Sequence, residues 1–161
     1  MYPTPAFEHK ICAADNLSAR IAALPRPTVF TNGCFDVLHR GHVTYLAQAR
    51  ALGAALIIGV NSDASVKRQG KGDDRPINSE QDRMMVLAAL ESVSLVVMFD
   101  EDTPLNLILA CHPDILVKGG DWQVEKIVGA NEVQGWGGAV HSIPFLHERS
   151  TTALLKKIRS L

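Results

Sequence analysis

The chain alternates between short apolar runs and segments of helical periodicity, and this alternation limits the folds that it can adopt. Five runs have the length of a strand and are apolar throughout rather than at every second position. They span residues 28–31, 54–60, 95–99, 115–117 and 139–143. Strands of this kind are buried on both faces, and helices between them imply parallel crossovers. The sequence therefore predicts a doubly wound α/β domain with about five parallel strands and helices on both faces of the sheet.

Helices are predicted where apolar residues recur at positions i, i+3, i+4 and i+7. Capping residues support three of the predicted starts. Asn78 is followed three residues later by Gln81, Thr103 precedes Pro104, and Ser150 opens a turn rich in hydroxyl groups. A further stripe before Pro25 predicts an additional helix near the N-terminus. The residues that mark these helices are Leu17, Arg20, Ile21, Leu24, Val43, Leu46, Ala47, Arg50, Met84, Leu87, Ala88, Glu91, Leu105, Ile108, Leu109, Leu154, Leu155 and Ile158.

Length, net charge and cysteine content indicate a single domain and argue against some classes of partner. The 161 residues suffice for one domain, and residues 1–161 are expected to form a single unit with a helical extension at 1–26. A net charge of −1 argues against a nucleic-acid partner bound through bulk positive charge. The three cysteines favour a reducing compartment, and no apolar run approaches the ~20 residues of a membrane span. With no signal-peptide profile at the N-terminus, we expect a cytoplasmic protein without a membrane partner.

One long polar segment stands out between the second and third predicted strands. Residues 63–78 contain Lys67, Arg68, Lys71 and Arg75 among glycines and aspartates. Long segments of this composition in compact domains are usually functional loops or disordered, so the sequence predicts a mobile basic loop.

The segment after the first long strand is the strongest candidate for a functional site, because ligands of open parallel sheets bind beyond the carboxyl ends of the strands. His39, Gly41 and His42 lie there at the start of a predicted helix, where free backbone N–H groups favour an anion. Neither a dinucleotide fingerprint nor a P-loop motif is present. A phosphate site is favoured. Zinc binding by Cys34 with the two histidines, and a purely structural role for the histidines, remain as alternatives.

Residues 30–42 resemble the signature of the cytidylyltransferase-like nucleotidyltransferases, in which an H-x-G-H motif follows the first strand. A hydroxyl-rich turn at 150–152 before a basic helix is similar to a second motif of that family. Further blocks at 59–63, 75–76, 83, 100–104 and 114–122 resemble the heptose-1-phosphate adenylyltransferases. Those enzymes occur alone or as the C-terminal half of bifunctional ADP-heptose synthases. Residues 146–149 depart from the related cytidylyltransferases, which have Arg-Thr-x-Gly-Ile there, and this weakens the case for CTP.

The resemblance implies a Rossmann-like fold and transfer of AMP from ATP to a heptose 1-phosphate. The products would be pyrophosphate and ADP-heptose for lipopolysaccharide core synthesis, formed by in-line displacement with Mg²⁺ on the phosphates. Alternatives are a transferase that uses CTP and a polyol phosphate, and a nucleotide-sensing module without catalysis. The oligomeric state stays open, with a homodimer as one option.

The resemblance also implies roles for individual residues. The histidines would hold the triphosphate, a cation of the 63–78 segment would close over pyrophosphate, and Lys118 with Trp122 would meet the sugar phosphate. No protein side chain is expected to ligate the metal. The predicted catalytic residues are His39, His42, Lys71 and Lys118. The predicted binding residues are Thr31, Asn32, Gly33, Phe35, Asp36, Gly41, Asn61, Asp63, Lys67, Arg68, Arg75, Gly119, Asp121, Trp122, Ser150, Thr151 and Thr152.

Overall fold

A computed structural model describes residues 2–70, 72, 74–147 and 150–160. The described residues form a six-stranded sheet in which every pair of neighbouring strands is parallel. The strands are β1 (Ile11–Cys12), β2 (Thr28–Gly33), β3 (Ala55–Asn61), β4 (Leu95–Phe99), β5 (Ile115–Gly119) and β6 (Ala139–Ile143). Their spatial order is β1-β4-β3-β2-β5-β6. The predicted doubly wound parallel sheet is therefore confirmed.

Seven α-helices accompany the strands in the described part of the chain. They are α1 (Leu17–Ala22), α2 (Arg40–Arg50), α3 (Asp63–Arg68), α4 (Glu80–Ala88), α5 (Leu105–Cys111), α6 (Ala130–Gly135) and α7 (Thr151–Arg159). Short 3₁₀ helices span Ala6–Lys10, Ala14–Asn16 and Val124–Lys126. None of the helices in the described ranges is both long and apolar enough to cross a membrane.

The sheet separates two apolar layers. Alternate residues of β3 point to opposite sides, so that Leu56 and Ile58 belong to one cluster and Ile57 to the other. The first cluster is covered by α2 and α4, and the second by α1, α5 and α6. All seven residues of β3 are buried, as expected for a strand covered on both faces.

The five predicted strands are all present, and the sixth is an addition. β1 contributes two residues beside β4 at the edge of the sheet. The segment 1–26 is therefore not a purely helical extension, because a strand and two 3₁₀ turns precede the predicted helix, which is α1. A two-residue strand carries too little periodicity to be recognised from sequence.

The segment 63–78 is the clearest correction. Its first six residues form α3, so Lys67 and Arg68 lie on a helix rather than in a loop. The Ser62 hydroxyl caps this helix by accepting from the Ser65 N–H, and Val66 is fully buried. The segment is so polar that the short helical pattern, with Ser65 and Val66 as its buried positions, cannot be recognised from the sequence.

Two predicted caps are also shifted by one residue. α4 is capped by the Ser79 hydroxyl, which accepts from the Asp82 N–H, instead of by Asn78. Pro104 itself occupies the N-cap of α5, and no side chain caps that helix. The predicted cap of α7 is confirmed, since the Ser150 hydroxyl accepts from the Ala153 N–H.

Strand order reverses between β2 and β5. From β2 the chain proceeds through β3 to β4 on one side, and then returns to place β5 on the other side of β2. The carboxyl ends of β2 and β5 therefore flank the crevice in which open α/β sheets bind their ligands.

Candidate active site

A cleft of about 240 Å³ opens at the carboxyl ends of β2 and β5. Side chains from β2, β5, α2, α7 and the loops between them meet in it. The described residues that line this cleft are Asn32, Gly33, Cys34, Phe35, Asp36, His42, Tyr45, Arg75, Lys118, Gly119, Phe145, Thr151 and Thr152. Ten of them belong to the predicted site, and all ten therefore surround one space at the switch point.

The two histidines form a stacked pair at the start of α2. Their ring centroids lie 3.9 Å apart with an interplanar angle of 22°, and the Phe35 ring contacts His42 edge-on at 5.4 Å. His39 is the N-cap and His42 lies in the first turn. A Cβ on Gly41 would lie 3.0 Å from the His39 ring, so only glycine lets that ring approach the backbone so closely. Of the two, His42 lines the cleft.

The environment of His42 keeps its ring neutral. Burial, assisted by the neighbouring His39, lowers the pKa of His42 to about 4. Its Nδ1 atom is buried and has no hydrogen-bond partner among the residues that the structure describes. A neutral imidazole in this position can donate one ring N–H to an oxygen that enters the cleft.

The lowered pKa of His42 predicts that acid decreases the stability of the folded protein. The unfolded chain takes up a proton on His42 near pH 6.5, whereas the folded chain does so only near pH 4, so lowering the pH across this window favours unfolding. Between pH 7.5 and 4.5 the wild type should lose roughly 1 to 3 kcal/mol more of its free energy of unfolding than the His42→Gln variant. Urea titrations across this range measure the difference. His141→Gln, which alters an exposed histidine, is the control, and identical slopes for wild type and His42→Gln would contradict the prediction.

Asp36 anchors the segment that follows α3. Its carboxylate accepts hydrogen bonds from the N–H groups of Ile77 and Asn78 and pairs with Arg75 at 2.5 Å. Burial alone would raise the pKa of Asp36, but the two backbone donors and the Arg75 guanidinium together lower it. Both side chains of the pair are buried. Asp36 thus holds the Arg75 guanidinium at the cleft.

Arg83 ties the loops behind the cleft to one another. Its guanidinium is fully buried and donates to the carbonyls of Cys34, Asn61 and Asn78 at 2.6, 2.8 and 3.1 Å. It also pairs with the Asp63 carboxylate at 2.8 Å. One side chain of α4 therefore connects the ends of β2 and β3 with the start of α3.

Thr31 and Tyr45 form a buried pair beneath the cleft. Their hydroxyl groups are hydrogen-bonded to each other, and the Tyr45 hydroxyl also donates to the Val117 carbonyl at 3.4 Å. Burial raises the pKa of Tyr45 to about 12. Thr31, predicted to shape the pocket, is fully buried and supports Tyr45, whereas Tyr45 itself reaches the cleft. Sequence reasoning missed Tyr45 because its position on α2 is indistinguishable from a core position.

Lys118 and Gly119 at the end of β5 form the opposite side of the cleft. A Cβ on Gly119 would lie 2.9 Å from the Phe145 ring and 3.1 Å from the Tyr45 ring, so glycine allows both rings to close over the strand. The Lys118 ammonium lies 5.9 Å from the centroid of the Trp122 ring, within cation–π distance. Phe145, which sequence reasoning also missed, completes this wall.

The first turn of α7 forms the last side of the cleft. Ser150 caps the helix and is exposed, while Thr151 is buried and donates its hydroxyl hydrogen to the Val37 carbonyl at 3.0 Å. Thr151 and Thr152 line the cleft. The predicted phosphate-binding turn therefore faces the same space as His42, with Ser150 acting as the cap.

Several predicted residues lie away from the cleft. The Arg68 guanidinium pairs with Asp102 at 2.7 Å and also contacts Asp100. Lys67 and Asp121 are exposed and do not line the cleft. Asn61 is buried, and its amide donates to the Ser65 hydroxyl at 3.0 Å.

Asp63 is held by Arg83, and Trp122 lies beside the cleft rather than in it. Lys71 and Arg149 lie outside the described residues, so the prediction for Lys71 remains a prediction.

No cluster of three or more His, Cys, Asp or Glu side chains able to hold a metal occurs within the described ranges. The Cys34 thiol donates to the side-chain carbonyl oxygens of Gln69 and Asn61 at 3.3 and 3.7 Å.

The chain matches a known protein family and several known proteins. Residues 30–159 match the family model described as cytidylyltransferase-like. The chain is 57% identical over 155 residues to the D-beta-D-heptose 1-phosphate adenylyltransferase of Bordetella bronchiseptica, covering 95% of this chain and 96% of that protein. It is 51% identical to the bifunctional protein HldE of Campylobacter concisus over 95% of its own length but only 32% of that protein.

A solved structure supports the same relationship. The lipopolysaccharide core biosynthesis protein from Thermoplasma volcanium superposes with a TM-score of 0.61 at 26% sequence identity. The match covers 76% of this chain and 98% of that protein.

Proposed function

The chain belongs to the cytidylyltransferase-like family, and from this we propose that it transfers AMP from ATP to a heptose 1-phosphate, giving ADP-heptose and pyrophosphate. The observation that carries the proposal is the high identity to the Bordetella enzyme along nearly the full length of both chains. The cleft supports it, because a neutral histidine, two cations and two threonines face one space at the switch point.

The reaction needs little from the protein beyond positioning and charge stabilisation. An oxygen of the sugar phosphate forms a bond to the α-phosphorus of ATP, and the bond from that phosphorus to the bridging oxygen breaks. Pyrophosphate leaves with the electron pair. A phosphate nucleophile is already ionised at neutral pH, so no side chain has to remove a proton. Catalysis then depends on holding the two phosphates in line and on donors that meet the developing charge.

The residues of the cleft are suited to these tasks. His42 would donate its ring N–H to a phosphate oxygen, with the first-turn amides of α2 behind it. Lys118 would stand between the two phosphates, and Arg75 would meet the triphosphate from the side of Asp36. Thr151 and Thr152, at the start of α7, would bind phosphate from the opposite wall. His39 would act through its stacking on His42.

A divalent cation, which we propose to be Mg²⁺, would enter as part of the nucleotide substrate. Asp36 is the only acidic side chain among the described residues that line the cleft, and its oxygens already accept from Arg75, Ile77 and Asn78. This arrangement suits a metal held by the phosphates with few protein ligands. Lys71 remains the proposed cation that approaches the leaving pyrophosphate.

The two alternatives are not favoured. A transferase using CTP and a polyol phosphate would not account for the high identity to a heptose 1-phosphate adenylyltransferase. A nucleotide-sensing module without catalysis would have no need to retain the histidine, the lysine and the arginine together at one cleft.

A pyrophosphate-release assay tests the proposed function. The purified protein with Mg²⁺ should release pyrophosphate with ATP and a heptose 1-phosphate at least about 100 times faster than with CTP and glycerol 3-phosphate, because several lost contacts of about 1–3 kcal/mol each separate the substrates. The control is the same assay without sugar phosphate, which measures hydrolysis of the nucleotide. Release that is equal with CTP and glycerol 3-phosphate, or absent with every pair, would contradict the proposal.

A further inference from the structure

A second, smaller pocket lies beside the cleft. This side pocket has a volume of about 110 Å³, and its lining includes Asn32, Pro104, Lys118, Trp122 and Lys126 together with two aliphatic side chains. Asn32 and Lys118 also line the cleft, so the two spaces share a wall at the carboxyl ends of β2 and β5. A molecule in the side pocket can therefore reach the phosphates in the cleft past Lys118.

The lining of the side pocket matches a phosphorylated sugar. Two ammonium groups and one carboxamide face it, and no acidic side chain belongs to its described lining. Ammonium and amide groups donate hydrogen bonds to phosphate and hydroxyl oxygens. The Trp122 indole offers an apolar face to the C–H groups of a sugar ring.

The indole is held in place although 49% of Trp122 is exposed. Its Nε1 donates to the Gly119 carbonyl at 3.1 Å, and its backbone N–H donates to the Ser142 hydroxyl at 3.0 Å. That hydroxyl in turn donates to the Gly120 carbonyl at 2.6 Å. Trp122 is thus fixed by one hydrogen bond from its ring and one from its backbone, and a large exposed aromatic ring held in this way is better suited to form a rigid wall than to cover the sheet.

We propose that the side pocket binds the sugar of the heptose 1-phosphate and that Lys126 is a specificity residue for it. This inference rests on the proposed function. Lys118 stands at the wall shared with the cleft and meets the phosphate, whereas Lys126 lies on the short 3₁₀ helix Val124–Lys126 and is absent from the lining of the cleft. Lys126 donates to sugar hydroxyl oxygens away from the reacting atoms.

A contact made equally in the ground state and the transition state affects binding and leaves the chemical step unchanged. The Lys126→Gln variant should therefore raise the KM for heptose 1-phosphate about tenfold, the scale of one lost hydrogen bond to a charged group. Its KM for ATP and its kcat should stay within about twofold of wild type. Steady-state kinetics with each substrate varied in turn measure these values.

Glu125→Gln is the matched control, because Glu125 is exposed on the same 3₁₀ helix and does not line the side pocket. It should leave both KM values unchanged. An unchanged sugar KM for Lys126→Gln, or an equal rise in both KM values, would overturn the assignment of the side pocket. A wild type that is inactive with heptose 1-phosphate would instead overturn the proposed function, so the two failures are distinguishable.

Discussion

Replacing His42 by alanine is expected to lower kcat by at least ~100-fold, the usual effect of removing one donor to transition-state charge. His42 is the histidine that lines the cleft, and its ring is neutral at pH 7 because burial lowers its pKa to about 4. The ring therefore acts as a hydrogen-bond donor whose strength grows as charge develops on the phosphates. Single-turnover measurements of AMP transfer separate this effect from product release.

The control for this variant is His141→Ala, which removes an exposed histidine of β6 that does not line the cleft. It should retain the wild-type kcat. Circular dichroism and urea titration of both variants establish that the fold is intact. A folded His42→Ala protein with a kcat within threefold of wild type would remove His42 from the mechanism.

Replacing Arg83 by methionine is expected to lower the free energy of unfolding by about 3–5 kcal/mol. Methionine retains the apolar stem of the side chain but supplies no donor, so three carbonyl groups and the Asp63 carboxylate lose their hydrogen bonds to the guanidinium. Groups that are buried without a partner cost far more than an exposed ion pair contributes. Urea titration at pH 7 measures the difference.

Arg68→Met provides the comparison, because Arg68 also pairs with a carboxylate but is 44% exposed. It should lower the free energy of unfolding far less than Arg83→Met does, because solvent screens an exposed ion pair. If the free energy of unfolding falls equally in the two variants, the Arg83 hydrogen bonds contribute no more to stability than a surface ion pair does.

The sequence predicted most of the fold because the sheet is buried on both faces. β3 illustrates this, since seven consecutive buried residues leave an apolar run that no amphipathic helix produces. α3 was missed for the opposite reason. It is short and largely polar, and its buried Val66 is one residue among many charged neighbours.

The candidate site was predictable to the extent that it follows from topology. His42, Lys118 and Thr151 come from distant parts of the sequence, but each lies at the end of a strand or at a helix start that the fold brings to one edge. Tyr45 and Phe145 could not be identified, because their approach to the cleft depends on glycines that admit their rings. The role of Arg83 depends on three carbonyl groups that only the folded backbone brings together.

The two walls of the cleft differ in how firmly they are attached. His42 and Lys118 belong to elements that pack into the apolar layers of the sheet, whereas α7 buries only Thr151 and leaves Leu154 and Ile158 exposed. A helix with so little buried surface can detach at a small fraction of the free energy of global unfolding. Local opening of α7 would therefore expose the threonine side of the cleft while the sheet and the side pocket stay assembled.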